Sequence, residues 1–153
     1  MKSVIIKAMI AASCISAASV ASSFEQEEKR FPESQYRHDV MEMSKLSLSG
    51  ILQHFRGQAK HEGHVAELAD MMAKSAALSK AAFEKDTRGM EGHTEAKGKI
   101  WDNWEDFASR MDTYAADTKA FAEAAKSGDP AAMRPAFGKA VKNCKSCHDE
   151  YRK

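Results

Sequence analysis

The chain has 153 residues, a mean hydropathy of −0.53 and a formal net charge of +1, with 23 lysine and arginine residues against 22 aspartate and glutamate residues. This length suits one domain with one hydrophobic core, and the mean hydropathy excludes a protein built mainly of membrane spans. The chain also lacks the concentrated basic face of a nucleic-acid-binding protein, so we expect no nucleic-acid partner.

Residues 1–23 have the composition of a secretory signal peptide. Two lysines precede or interrupt an apolar run over residues 4–12, and small residues follow as far as Ser23. The apolar run is too short for a permanent membrane span, so the pattern predicts cleavage after Ala21 or Ser23 and no stable membrane insertion. We therefore expect a mature domain of residues 24–153 in a bacterial periplasm.

One of the three cysteines, Cys14, lies inside this leader. A lipoprotein cysteine is one interpretation, but the preceding Ala-Ala-Ser lacks the leucine that is usual in such sites. A small apolar residue of the signal peptide fits the segment better. The mature chain then keeps Cys144 and Cys147, and we expect no structural disulfide.

The mature chain reads as four amphipathic helices. Ala, Lys, Glu, Met and Leu dominate the composition, and alternating runs of β-branched residues are absent. Prolines and glycines at the segment ends, together with apolar residues at steps of three and four, predict helices over about residues 33–55, 62–85, 95–126 and 130–151. Their short connections imply an all-α fold, an antiparallel four-helix bundle with up-down-up-down topology.

The last predicted helix carries a C-x-x-C-H run from Cys144 to His148. This spacing is typical of covalent attachment of c-type haem, in which two thiols bond to the vinyl groups and the histidine ligates the iron. A thioredoxin-like pair would want a βαβ context and a zinc site a second ligand pair, and the sequence supplies neither. Phe137, Val141, Cys144 and His148 share one helix face. We therefore expect one haem c per chain, bound through Cys144 and Cys147, with His148 as the proximal axial ligand.

A C-x-x-C-H run at the end of the fourth helix of a bundle resembles the class II c-type cytochromes, the cytochrome c′ family. Class I cytochromes c carry the run near the N-terminus. The resemblance covers nearly the whole mature chain and also rests on Arg37 with Met41 and on residues 100–104 with Phe107. Gly98 departs from it, since relatives often have proline there, and this departure predicts a looser start of the third helix.

The resemblance implies one of two states of the iron, which differ in the position opposite the histidine. In members that resemble cytochrome c′ proper, this position is unligated, and the five-coordinate, high-spin iron binds NO or CO. In the low-spin relatives, a methionine four residues after an arginine of the first helix ligates the iron. Arg37 and Met41 match that second pattern, although a methionine on an apolar stripe is usually a core residue. We therefore expect Met41 as distal axial ligand and Arg37 as the partner of a haem propionate.

On this interpretation the protein carries single electrons between periplasmic redox partner proteins. A thioether ligand favours the ferrous state and suits electron transfer. We expect no enzyme, because the sequence has no catalytic triad, paired carboxylates of a cleft motif or phosphate-binding loop. Two alternatives stay open, a five-coordinate protein that binds NO or CO and a haem subunit of a larger redox complex. Relatives often form a homodimer through their first two helices, and the sequence shows no patch that decides this point.

Overall fold

A computed structural model of the protein describes residues 29–153, so the predicted leader and its cleavage sites lie outside the described residues. The helices are α1 (Pro32–Phe55), α2 (His64–Ser79), α3 (Lys99–Asp102), α4 (Trp104–Lys126) and α5 (Pro130–Tyr151), with a 3₁₀ turn at Ala81–Phe83. The four long helices form a four-helix bundle, and the predicted all-α fold is confirmed. None of the described helices is long and apolar enough to cross a membrane.

The bundle packs in the order α1, α2, α4 and α5. Apolar residues from all four long helices meet in one buried cluster, which includes Ile51, Met72, Phe121 and Ala140. A second cluster lies where α3, α4 and the end of α5 meet; its buried members are Phe83, Ile100, Phe107, Met111, Cys147 and Tyr151. A cavity beside these two clusters separates α1 from α5.

The ends of α1 and α5 agree with the sequence prediction, since both helices begin with a proline at their first position. Proline is favoured there because its fixed φ suits a helix and its missing N–H is not needed. Asp129 also caps α5, where its side chain accepts a hydrogen bond from the amide of Ala131 at 2.8 Å. The helix α2 is shorter than predicted. It begins after Gly63, whose φ of 77° lies in the left-handed region, and it gives way to the 3₁₀ turn.

The predicted third helix, 95–126, begins four residues late and is interrupted. Asn103 leaves the helical conformation with φ −130° and ψ 47°, which separates α3 from α4. Its side-chain amide donates a hydrogen bond to the Tyr151 hydroxyl at 2.9 Å. Asparagine side chains compete with helical hydrogen bonds, so a partner from α5 is enough to hold this break.

Residues 95–97 lie beside the C-terminus instead of forming the start of a helix, and Ala96 forms an isolated antiparallel bridge with Arg152. The Lys97 amide donates to the carbonyl of Tyr151 at 2.9 Å, and the Lys153 amide donates to the carbonyl of Glu95 at 2.8 Å. Thr94, Glu95 and Ala96 line the cavity between α1 and α5.

Candidate functional site

The cavity between α1 and α5 has a volume of about 620 Å³, which is in the range of cofactor sites. Its α5 wall carries Cys144, Cys147 and His148, and its α1 wall carries Arg37 and Met41. The structure therefore places all five site residues that the sequence predicted around one cavity. Phe107 and Met111 of α4 also line it, so much of its surface is apolar.

Neither cysteine of the α5 wall is in a disulfide; Cys147 is buried and Cys144 is partly buried. Burial raises the pKa of the Cys144 thiol, and burial also raises the pKa of Cys147, to about 11. A redox-active cysteine pair needs the opposite, a lowered pKa that stabilises a thiolate. Among residues 29–153, no group of three or more His, Cys, Asp or Glu side chains could hold a metal ion, as a zinc site would require.

His148 sits one turn before the end of α5 and reaches the cavity. Burial lowers its pKa, the nearby Arg152 guanidinium lowers it further, and the carboxylates of Glu95 and Asp149 partly oppose both effects. Glu95 also forms an ion pair with Arg152, with Nη2 to Oε2 at 2.7 Å. The result favours a neutral imidazole, the form in which histidine binds a metal.

Arg37 is buried in the first turns of α1, with only 4% of its surface exposed. Its guanidinium carbon lies 5.2 Å from the ring centroid of Phe83 and 5.6 Å from those of Phe31 and Trp101. Nη2 donates to the Thr87 hydroxyl at 3.0 Å, while Nη1 has no hydrogen-bond partner among residues 29–153. Burial lowers the pKa of Arg37. An unpaired buried donor is costly, so this atom calls for an acceptor that the described part of the chain does not supply.

Met41 lies one turn after Arg37 on the α1 wall. Its side chain is partly buried and packs against the second apolar cluster. Met43, two residues further along α1, is 44% exposed and lies on the other side of the helix. The contacts of Met41 are those of a residue that forms an apolar wall.

Together these residues fit a covalently held haem. The cavity is large enough and mostly apolar, two thiols and an imidazole share one wall, and an arginine with an unpaired donor lies opposite. Haem carries two carboxylates on an otherwise apolar ring, which is the combination that such a cavity accommodates.

Sequence reasoning missed a set of buried hydroxyls beside the cavity. The buried residues of α1 include Ser44 and Ser47 among the apolar ones that the helical pattern predicts. Ser44 donates a hydrogen bond to Ser75 of α2 and accepts one from Tyr114 of α4. The available signal was the seven-residue spacing from Arg37 to Ser44, which places both side chains on one face of the helix.

Comparison with known proteins assigns this fold to one family. The family model described as Cytochrome C′ matches residues 33–152. The cytochrome c′ of Pararhodospirillum photometricum is 30% identical over 118 residues, which cover 77% of this chain and 94% of the relative. Among solved structures, cytochrome c prime from Shewanella frigidimarina has a TM-score of 0.73 at 28% identity and covers 81% of this chain and 99% of its own.

A third similar protein is cytochrome c prime from Alcaligenes xylosoxidans. A variant solved as its nitric oxide complex has a TM-score of 0.70 at 26% identity and covers 79% of this chain and 94% of its own. Another variant of the same protein was solved with carbon monoxide bound.

These findings overturn the prediction of a six-coordinate electron carrier with His148 and Met41 as axial ligands. The similar proteins are cytochromes c′, and solved examples hold nitric oxide or carbon monoxide. A gas binds iron at an open coordination position, which a fixed methionine would occupy. The functional prediction is therefore wrong, and membership of the low-spin subgroup is not supported. The spacing of Arg37 and Met41 suits a residue of the cavity wall as well as it suits a ligand.

Proposed function

The chain belongs to the cytochrome c′ family and carries covalently bound haem c, and from this we propose that it binds nitric oxide or carbon monoxide at a five-coordinate haem iron. The observation that carries the proposal is the cavity, in which the α5 wall with His148 faces the partly apolar α1 wall with Met41. The site is a binding site for a small gas, and we assign it no catalysis.

In this proposal the α5 wall holds the cofactor. The thiols of Cys144 and Cys147 form the two thioether bonds, and His148 is the proximal ligand of the iron. The bound haem supplies the iron that coordinates the gas. The protein contributes the fixed position of the imidazole on α5 and the apolar side chains that keep water away from the ring.

Replacing both cysteines, Cys144→Ser with Cys147→Ser, should leave haem that acidified organic solvent extracts, because no thioether bond remains. The wild-type protein should keep its haem under the same treatment, which absorption of the protein fraction measures. The matched control is Cys14→Ser in the leader, which should also keep its haem. Haem that stays covalently bound to the double variant would contradict the assignment.

Arg37 in this proposal holds a haem propionate through Nη1, the donor without a partner among the described residues. The guanidinium is already fixed by Thr87 and three aromatic rings, so little side-chain entropy is lost when a carboxylate binds. An arginine fork also matches a carboxylate better than a lysine does. The interaction places a buried positive charge beside the haem.

Arg37→Met should lower the reduction potential of the haem, because a nearby positive charge favours the ferrous state. Coulomb's law gives a shift on the order of tens of millivolts for a unit charge about 10 Å away at an effective dielectric constant of about 20. Arg37→Lys keeps the charge and should lower the reduction potential by less. Arg134→Met is the control, since Arg134 stacks on Phe55 instead of lining the cavity. An unchanged potential in Arg37→Met would refute the propionate role.

Gas binding by the ferrous protein tests the proposed function directly. With an open iron position, the association rate of carbon monoxide should rise in proportion to its concentration, as stopped-flow absorption measures. Met41→Ala removes part of the α1 wall and should raise this rate, while Met43→Ala on the exposed side of the helix should not change it. A rate that reaches a plateau in the wild type and loses that plateau in Met41→Ala would show that Met41 must leave the iron first.

We also propose that the protein forms a homodimer through α1 and α2. Large apolar side chains are exposed on these two helices; they are Tyr36, Met43 and Leu46 of α1 and Met71 and Leu78 of α2. Leu46, which is 66% exposed, is the most exposed of the five. The two helices approach closely, since a Cβ added to Gly50 would lie 2.8 Å from Leu68 Cδ1.

Leu46→Glu combined with Leu78→Glu should convert the dimer to a monomer, because two charges would be buried in the interface of each subunit. Sedimentation velocity measures the change. Met90→Glu, at an exposed residue outside α1 and α2, is the control and should remain dimeric. A wild-type monomer at micromolar concentration would contradict this proposal.

Export to the periplasm completes the proposed function. Proteins of this family are typically periplasmic, and residues 1–23 have the composition of a signal peptide. A periplasmic redox partner protein then has one role in the proposal, which is to reduce the iron to the ferrous form that binds carbon monoxide.

A further inference from the structure

Three buried hydroxyls form a continuous hydrogen-bonded chain across α1, α2 and α4. The Tyr114 hydroxyl lies 2.9 Å from Ser44 Oγ, Ser44 Oγ lies 2.9 Å from Ser75 Oγ, and Ser75 Oγ lies 2.6 Å from the carbonyl oxygen of Val40. All three side chains are buried, and those of Ser44 and Tyr114 line the cavity. The chain therefore brings polar atoms to a cavity that is mainly apolar.

The last acceptor fixes the direction of every bond in this chain. The Val40 carbonyl can only accept, so Ser75 donates to it and must accept from Ser44. Ser44 has then used its proton and accepts from Tyr114. The phenol is the first donor of the chain, and Ser44 Oγ accepts its hydrogen bond.

The position of Ser44 places this donor on the α1 side of the cavity. Ser44 lies three residues after Met41 on α1, and both line the cavity whose α5 wall carries His148. The Tyr114 hydroxyl is within hydrogen-bond distance of Ser44, so it lies on the same side. In the proposed function, this is the side where the gas binds.

We propose that Tyr114 is the hydrogen-bond donor for a ligand on the open side of the iron, and that Ser44 competes for its proton in the unliganded protein. The inference rests on the proposed function and names the ligands that this site prefers. These are small ligands with negative charge on the atom away from the iron, since a hydrogen bond to a charged acceptor is roughly twice as strong as one to a neutral hydroxyl. Such a ligand therefore outcompetes Ser44, whereas a ligand with little charge on that atom gains less.

The surroundings keep the phenol in its donor form. Burial raises the pKa of Tyr114 to about 12, with a smaller contribution from Cys144 in the same direction and an opposing one from the Ser44 hydrogen bond. The hydroxyl therefore keeps its proton at neutral pH. Turning the O–H about its C–O bond redirects that proton while the ring stays in place.

Two substitutions distinguish hydrogen-bond donation to the ligand from a role that only holds the helices together. Tyr114→Phe removes the donor and keeps the ring, and it should weaken cyanide binding to the ferric protein by about 3- to 10-fold, the range expected for one hydrogen bond. Ser44→Ala removes the competing acceptor and should tighten cyanide binding by a few-fold. If these hydrogen bonds only held the helices together, both substitutions would change the cyanide affinity in the same direction. Tyr36→Phe, at an exposed tyrosine, is the control and should bind cyanide like the wild type.

The vibrational spectrum of the ferrous carbon monoxide complex gives a second readout. Donation of a hydrogen bond to the outer oxygen weakens the C–O bond, so the C–O stretching frequency should rise in Tyr114→Phe and fall in Ser44→Ala. Changes of cyanide affinity in one direction for both variants, or a C–O frequency that neither variant alters, would overturn the inference alone. Should Tyr114→Phe fail to fold, weaker cyanide binding by Ser44→Ala would overturn it as well. A wild-type protein that binds neither ligand would overturn the proposed function together with this inference.

Discussion

The buried guanidinium of Arg37 connects the start of α1 to the 3₁₀ turn, to the loop at Thr87 and to α3. Burying a charge costs several kcal/mol unless its hydrogen bonds are made, and among the described residues Arg37 has a partner on Nη2 but none on Nη1. Its aromatic neighbours come from the residue before α1, the 3₁₀ turn and α3. These segments are thus packed around one buried cation, which we propose is completed by a carboxylate of the cofactor.

The two walls of the cavity divide the chemistry between them. The α5 wall carries two thiols and an imidazole, within one helix whose spacing fixes their relative positions. The α1 wall carries Met41 and Ser44, and its hydroxyl chain reaches α2 and α4 through Ser75 and Tyr114. In the proposed function, covalent attachment of the haem depends on α5 and ligand preference depends on α1 and α4, so substitutions at Met41 or Ser44 should change ligand preference and leave the covalent attachment intact.

Sequence alone predicted the features that short-range patterns determine. Prolines mark the starts of α1 and α5, and the C-x-x-C-H run is local to one helix. The break at Asn103 was not predictable, because its partner Tyr151 is 48 residues away. The buried serines were missed because small polar residues on a helix predict exposed positions as long as their hydrogen-bond partners are unknown. Met41 was assigned wrongly because four-residue spacing from Arg37 puts a side chain on the cavity wall whether or not it ligates iron.

The spin state of the ferric protein distinguishes an open iron position from ligation by Met41. Electron paramagnetic resonance and resonance Raman spectra of the purified protein at neutral pH report the number of iron ligands without any added gas. We expect a high-spin, five-coordinate iron with His148 as its one axial ligand. A low-spin spectrum with a methionine–iron charge-transfer band, converted to high spin by Met41→Ala, would contradict it.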